Sequence, residues 1–335
     1  MMKHITITDL AKRLNLSAST VSRALRDHPD ISDETKQRVR AAAKRANYQP
    51  NLIAQSLQNK RSNNIGVIVP EIRNRFFATV ISGIEDLAYE SGYTIMVCQS
   101  NDTFQREIIN TRALAANRVA GMLVSTSQET TGFDHLQQVI SQGVPIVLFD
   151  RVVEELAVPK VVVDDFNGAY RAVSHLIETG RTRIAHLTGA NSLYISRKRR
   201  EGYEAALQDH GLPVQEAYII RGGYHEEDGR RAAMELLEME IMPDGLFAIN
   251  DPVALGALIH LQDNQVRIPE QIGIVGFSDN PNASLIRPAL TTVNQPAYEI
   301  GKTAASLLLD ILGGTRSEQD TTIMLETRLV VRDST

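Results

Sequence analysis

Apolar positions change their period once along the chain. Between residues 6 and 46 they recur at helical spacing in three short bursts. These are Leu10, Ala11 and Leu14, then Val21, Ala24 and Leu25, then Val39, Ala42, Ala43 and Ala46. Thr6-Ile7-Thr8-Asp9 caps the first burst, and Asn15-Leu16-Ser17 separates it from the second. The third opens on Ser32-Asp33-Glu34 and closes on Lys44-Arg45, the charge order a helix dipole prefers. Two short helices on so tight a turn must cross steeply, which is helix-turn-helix geometry.

From residue 65 onward, short β-branched runs alternate with helical stretches. The runs fall at 65–69, 94–98, 121–125, 145–149, 160–164, 184–187, 218–221, 246–249 and 272–277. Strands apolar throughout, set between helices, predict parallel sheets covered on both faces. The order restarts near Val161, which predicts two similar lobes, and the segments 291–294, 296–312 and 321–331 cross back to complete them. The predicted fold class is an all-α helix-turn-helix head plus an α/β body of two parallel-sheet lobes. The head is 1–50, a hinge and linker 51–62, and the body 63–335. Within the body the first lobe spans about 63–160 and 294–324, the second about 161–293 and 325–335.

Charge sharpens this division. The 335-residue chain has a net charge of −5, yet residues 1–62 hold 12 basic and 5 acidic residues, and the remainder 23 and 35. A head at +7 on a body at −12 describes a polyanion-binding module joined to something that stays off the polyanion. The single cysteine, Cys98, excludes a disulfide framework and reads as a buried small hydrophobe. With no apolar leader and no apolar run near the roughly 20 residues of a membrane span, a cytoplasmic location and no membrane partner are expected.

The second head helix carries the candidate chemistry. Opposite Val21, Ala24 and Leu25 it presents Ser19, Arg23 and Arg26. An Arg fork suits guanine, and Ser hydroxyls suit base or phosphate. Ala18, Ser19 and Arg23, near the helix start, are the base-reading candidates. Thr8, Ser17, Ser22, Arg26 and Tyr48 are candidates for phosphate contact; for Tyr48 the alternative is a lid over the head core.

Five motifs stand in register. Ile7-Thr-Asp-Leu-Ala11, Ser19-Thr-Val-Ser-Arg23-Ala-Leu, Ile31-Ser, Tyr48-Gln-Pro-Asn51 and Ala54-Gln-Ser-Leu57 resemble the head of the lactose/galactose repressor (LacI/GalR) family of bacterial transcription regulators. The resemblance runs to the C-terminus. It implies a periplasmic-binding-protein-like body, a duplex operator of pseudo-palindromic sequence, a small-molecule effector and a homodimer. It also implies that Asn51, Ala54 and Leu57 belong to a hinge helix, with Leu57 wedged into the minor groove. That segment is only about two turns long, too short to be a stable helix alone, so order is expected only when it is paired on DNA. The chain stops at Thr335 with no heptad tail, which favours a dimer over a tetramer.

Ligands in open parallel sheets bind at the carboxyl ends of strands. Here those ends hold Asn74, Arg75, Phe76 and Phe77; Asp150 and Arg151; Arg197 and Arg199; Tyr224; Asn250 and Asp251; and Ser278 and Asp279. Gln295 stands at a lobe crossover. Forked donors, carboxylates and ring faces suit vicinal hydroxyls and C–H faces of a sugar. The resemblance favours ligand contact for Asp150, Arg199, Asn250 and Asp279, whereas Phe76, Phe77 and Tyr224 serve equally as core or rim aromatics. Many relatives carry an aspartate where Ser278 stands, so this pocket reads its ligand differently.

Enzymic chemistry finds no support. Ile300-Gly-Lys-Thr303 has Pro296 where a phosphate loop needs glycine, and Gly276-Phe-Ser-Asp-Asn280 lacks the closing glycine of a nucleophile elbow. The eight histidines show no metal spacing. No catalytic residue, metal or cofactor is expected. The reading is a transcriptional regulator, expected to be a repressor, governed by a sugar or sugar derivative. The alternatives are the same regulator with a purine or nucleoside effector, and a sugar receptor that does not act on DNA.

Overall fold

A computed structural model describes residues 5–25, 27–46, 48, 62–316 and 321–335. The chain divides into two units, Met1–Ser62 and Asn63–Thr335.

The first unit holds α1 (Ile7–Leu14), α2 (Ala18–Leu25) and α3 (Asp33–Arg45). Thr6 and Asp9 form a reciprocal capping box at the start of α1, and Asn15 ends it in a left-handed turn at φ 54°. Ser17 caps α2, its hydroxyl accepting from the Thr20 amide at 3.0 Å. Leu10, Ala11, Val21, Ala24, Val39 and Ala43 form the small buried core.

The second unit contains two six-stranded sheets. Its elements are β1 (Asn64–Val69), α4 (Arg75–Glu90), β2 (Thr94–Gln99), α5 (Phe104–Ala116), β3 (Gly121–Val124), α6 (Asp134–Ser141), β4 (Ile146–Phe149), β5 (Lys160–Val163), α7 (Asp165–Glu178), β6 (Ile184–Thr188), α8 (Tyr194–Asp209), β7 (Ile219–Arg221), α9 (Glu226–Leu237), β8 (Gly245–Ala248), α10 (Asp251–Asp263), β9 (Gly273–Ser278), β10 (Thr291–Asn294), α11 (Ala297–Leu312), β11 (Thr322–Leu325) and β12 (Arg328–Val330). The sheet orders are β11-β5-β4-β3-β1-β2 and β12-β10-β9-β8-β6-β7. Every pairing is parallel except β10 with β12.

Two details depart from the sequence expectation. The strand at 160–163 belongs to the first sheet, between β4 and β11, so the change of lobe comes after Val163 and not at 161. The segment expected as one strand over 321–331 is two, one per sheet, broken at Glu326-Thr327. The chain therefore passes between lobes after β5, after β10 and after β11.

Glycines set the helix spacing. A Cβ on Gly83 of α4 would lie 2.2 Å from the Tyr298 carbonyl, and one on Gly301 of α11 would lie 2.0 Å from that of Val80. Gly301 is thus a backbone contact between helices, which accounts for the glycine of Ile300-Gly-Lys-Thr303. Gly229 and Gly256 seat α9 on α10 in the same way, with added Cβ atoms 2.0 Å from the Val253 carbonyl and 1.9 Å from that of Glu226. Gly256→Ala forces these backbones apart and is expected to cost about 1–3 kcal/mol, as overpacking does. Gly132→Ala, with nothing within 4 Å of its new Cβ, is expected to stay within about 0.5 kcal/mol of the parent. Denaturant melts of both variants test this; equal stabilities would refute the packing account.

Candidate functional site

On the head, Thr8, Ala18, Ser19 and Arg23 are exposed and Ser22 is half-buried. The Ser17 hydroxyl, beyond capping α2, lies 2.8 Å from both the Ser19 and Thr20 hydroxyls. Tyr48 packs against the head core, as the lid reading requires, and burial raises its phenol pKa. Arg26, Asn51, Ala54 and Leu57 lie outside the described residues.

In the body, the strand ends of both sheets converge on one polar cluster. Asp150, just after β4, adopts a left-handed backbone at φ 58°. Arg151 follows, buried, and its Nη1 donates to Asp102. Its guanidinium carbon lies 4.4 Å from the ring centroid of Tyr224, which belongs to the second lobe, and 5.8 Å from that of Phe77. The Tyr224 hydroxyl meets the Ser196 hydroxyl at 2.5 Å. Arg199 is 2% exposed, with Nε and Nη2 each 2.8 Å from Asp165 Oδ1. Its Nη1 donates to the Ile249 carbonyl, and its guanidinium lies 3.7 Å over the Phe277 ring. Arg151 thus reaches from the first lobe to the second, whereas Arg199 is held by second-lobe partners alone.

Other candidates hold the framework. Asn74 caps α4 through Oδ1, which accepts from the Phe76 amide at 3.0 Å. Phe76 and Phe77 are buried edge to face at 5.2 Å. Asn250 caps α10 and donates Nδ2 to the Tyr224 carbonyl at 2.9 Å. Asp279 pairs with Arg332 at 2.6 Å and accepts from Asn294 at 3.1 Å, anchoring the C-terminal segment. Arg197 is more exposed than expected; it pairs with Glu154 of the first lobe and donates to the Asn191 and Ser192 carbonyls at 3.3 and 3.0 Å. Asp251 corrects the expectation. It is fully buried, its oxygens accepting from the Asn280 amide at 2.6 Å and the Thr292 hydroxyl at 2.5 Å, so it joins α10 to the second sheet and faces no cleft.

Two cavities flank the cluster. One of about 320 Å³ is lined by Phe76, Ser278, Asp279, Asn294 and Gln295, with Arg75 and Glu299 at its exposed rim. Gln295 is 5% exposed and donates to the Ser278 hydroxyl at 3.0 Å, while its Oε1 has no protein partner. The other, about 430 Å³, is lined by Thr126, Thr130, Phe133, Glu154, Ser192 and Arg197.

Sequence reasoning had not named Asp102, Asp165 or Ser196. Asp102 sits beyond the end of β2, and Asp165 opens α7 after β5, so both obey the strand-end rule that found the others. Among the described residues no cluster of ligating side chains could hold a metal ion, and no helix is long and apolar enough to cross a membrane.

A chain that joins a helix-turn-helix unit to a two-lobe body with a polar interlobe cleft is built as a ligand-responsive DNA-binding protein. The family model described as bacterial regulatory proteins, lacI family, matches residues 6–51. The model described as periplasmic binding proteins and sugar binding domain of LacI family matches residues 62–330. The chain belongs to the LacI family and is a DNA-binding transcriptional regulator. It is 32% identical to catabolite control protein A of Priestia megaterium, over 99% of both chains. To the ribose operon repressor of Halalkalibacterium halodurans it is 33% identical, over 98% of this chain and 97% of the relative. The solved Lac repressor dimer bound to operator and the anti-inducer ONPF aligns with a TM-score of 0.87 at 25% identity, covering 99% of each chain.

Burial pushes the Asp150 carboxyl up from 3.8 to about 6, against the pull of Arg151 and Arg199. A carboxyl raised on folding binds its proton more readily in the folded chain. Its ionisation therefore costs stability as pH rises from about 4 through 6, and the cost persists at neutral pH. Asp150→Asn is expected to stabilise the protein at pH 7.5 by about 1–3 kcal/mol and to flatten the pH 4–6 part of the stability profile. Urea melts across that range read both effects; a variant less stable at pH 7.5 would contradict the assignment.

Proposed function

We propose that the chain is a cytoplasmic, homodimeric repressor, not an enzyme, whose grip on a pseudo-palindromic operator is set by a sugar or sugar derivative in the interlobe cleft. The observation that carries this reading is Arg151. It leaves the first lobe, pairs with Asp102 and rests on Tyr224 of the second. A ligand entering beside it changes contacts with both lobes at once, so its binding is coupled to their angle. An effector shifts that equilibrium only by its differential affinity for the two arrangements.

The sugar class is supported by the donor and acceptor balance of the cleft and by the sugar-binding description of the matched body model. Exposed apolar side chains on both lobes, Tyr89 and Leu285 among them, supply surface for self-association. Two heads are needed to reach two half-sites about one helical turn apart.

In this reading Ala18, Ser19 and Arg23 address base edges, while Thr8, Ser17 and Ser22 address phosphates. Arg23→Ala is expected to weaken operator binding by about 1–3 kcal/mol while nonspecific DNA binding falls far less. Titrations against operator and scrambled duplex at one fixed salt concentration measure the difference. Equal losses on both duplexes would remove Arg23 from the base-reading role.

A further inference from the structure

We infer that the Arg151 side chain is a built-in occupant of the effector place: an effector gains that place by displacing the guanidinium, so Arg151 sets effector affinity by competition. The inference rests on the effector-regulated reading above and deepens it.

The first argument is where the space lies. Of the four residues that the family resemblance assigns to the ligand, Asp279 alone lines one of the two cavities. Asp150, Arg199 and Asn250 are buried and line neither, and the same holds for Phe77 and Tyr224. What stands among them is the Arg151 side chain. It is 4% exposed, and its guanidinium carbon lies 4.4 Å from the Tyr224 ring centroid and 5.8 Å from that of Phe77. Its charge acts on the Asp150 carboxyl together with that of Arg199. A guanidinium is flat and stacks on rings, as a bound ligand would.

The second argument is that the walls are fixed and the occupant is not. The Tyr224 hydroxyl meets that of Ser196, and its carbonyl accepts from Asn250 Nδ2 at 2.9 Å. Asp102 Oδ1 also accepts from the Gln128 amide at 3.1 Å, so this carboxylate keeps a partner when Arg151 leaves. The Arg151 carbonyl is itself anchored, accepting from the Thr126 amide at 3.0 Å and the Thr126 hydroxyl at 3.1 Å. Its side chain is held more lightly. Nη1 donates to Asp102, but Nε is buried without a hydrogen-bond partner. Arg199, by contrast, is tied through Nε, Nη1 and Nη2. A buried donor with no acceptor carries a cost that movement into water removes.

The larger cavity supplies the exit. Thr126, which anchors the Arg151 backbone, and Val152, the next residue, both line it, and Glu154 and Glu155 stand exposed on its wall. A guanidinium turned that way regains water and faces carboxylates. Because Arg151 springs from the first lobe and Tyr224 from the second, its displacement exchanges one interlobe contact for another. Apparent effector affinity is then lowered by the fraction of molecules in which the place is already filled. An ordinary ligand contact and a built-in occupant thus predict opposite signs for Arg151→Ala.

The test uses the full-length protein with ribose, glucose, cellobiose, hypoxanthine and adenosine, each read by thermal shift and operator titration. Any of these that raises the Tm of parent or variant is expected to bind Arg151→Ala about fivefold tighter than the parent. Weaker or unchanged binding makes Arg151 a ligand contact or a bystander and overturns the inference. If the single variant does not fold, Asp102→Asn/Arg151→Ala, which strands no carboxylate, takes its place in the panel, and silence of the panel there overturns the inference. A second arm needs no effector. Ethylguanidinium is expected to raise the Tm of Arg151→Ala above that in equal ethylammonium and to leave the parent unchanged. An ethylguanidinium no better than ethylammonium on the variant, or equally effective on the parent, overturns the inference, and this arm decides alone where no panel compound binds. A compound that binds the variant more tightly yet leaves operator affinity unchanged removes the regulatory reading and keeps Arg151 as occupant. One that alters operator affinity but binds the variant more weakly does the reverse.

Discussion

Guanidinium groups buried at the strand ends impose the strictest condition on the body. Stripping an arginine of water costs several kcal/mol unless a carboxylate and further acceptors meet it. Arg199 shows the full solution: Asp165 on one side, the Ile249 carbonyl on another, and the Phe277 ring beneath. Arg151 meets the same condition with residues from both lobes. Between the cavities the two lobes are therefore joined by paired side chains, Arg151 with Tyr224 and Arg197 with Glu154.

The surrounding backbone is shaped to deliver these groups. Asn101 and Asp102 adopt consecutive left-handed conformations, and Asp150 and Asp279 one each, all just beyond the ends of strands. Such conformations are uncommon for residues with a Cβ and persist where packing over-determines them. Behind the cleft the construction is conventional. His186 lies stacked between Tyr203 and Phe247, with Nδ1 3.0 Å from the Phe247 carbonyl. Burial lowers its pKa to about 4, so it stays neutral at physiological pH, although its Nε2 lacks a partner. Glu107, fully buried, accepts from the Ser127 amide at 2.6 Å and the Thr130 hydroxyl at 2.9 Å, and lies 2.9 Å from His135 Nε2. That group pins the loop leading to the larger cavity.

Much of this was legible before folding is considered. Apolar period, caps and turn residues located the helices and strands of the head and of both sheets, because those signals act over a few residues. The strand-end rule drew out Asp150, Arg151, Arg199 and Tyr224 for the same reason: it needs only the strand boundaries. It could not rank them. Asp251 obeys the rule as well as Asp150 does, yet its carboxylate joins α10 to β10 and the 280 loop, a contact across 29 and 41 residues of chain. Arg197 and Arg199 differ by two positions on one helix, and only packing decides that one is buried on Phe277 while the other bridges to Glu154.

The amino-acid order alone determined the helix-turn-helix head, the alternation of apolar strands with helices, the +7 and −12 division of charge and the family to which the chain belongs. These depend on short-range periodicity and composition. Tertiary structure decided which lobe owns β5, which glycines let helices touch, and which carboxylate answers which arginine. Those outcomes depend on pairings between residues far apart in sequence, where burial converts a modest local preference into an obligatory partner.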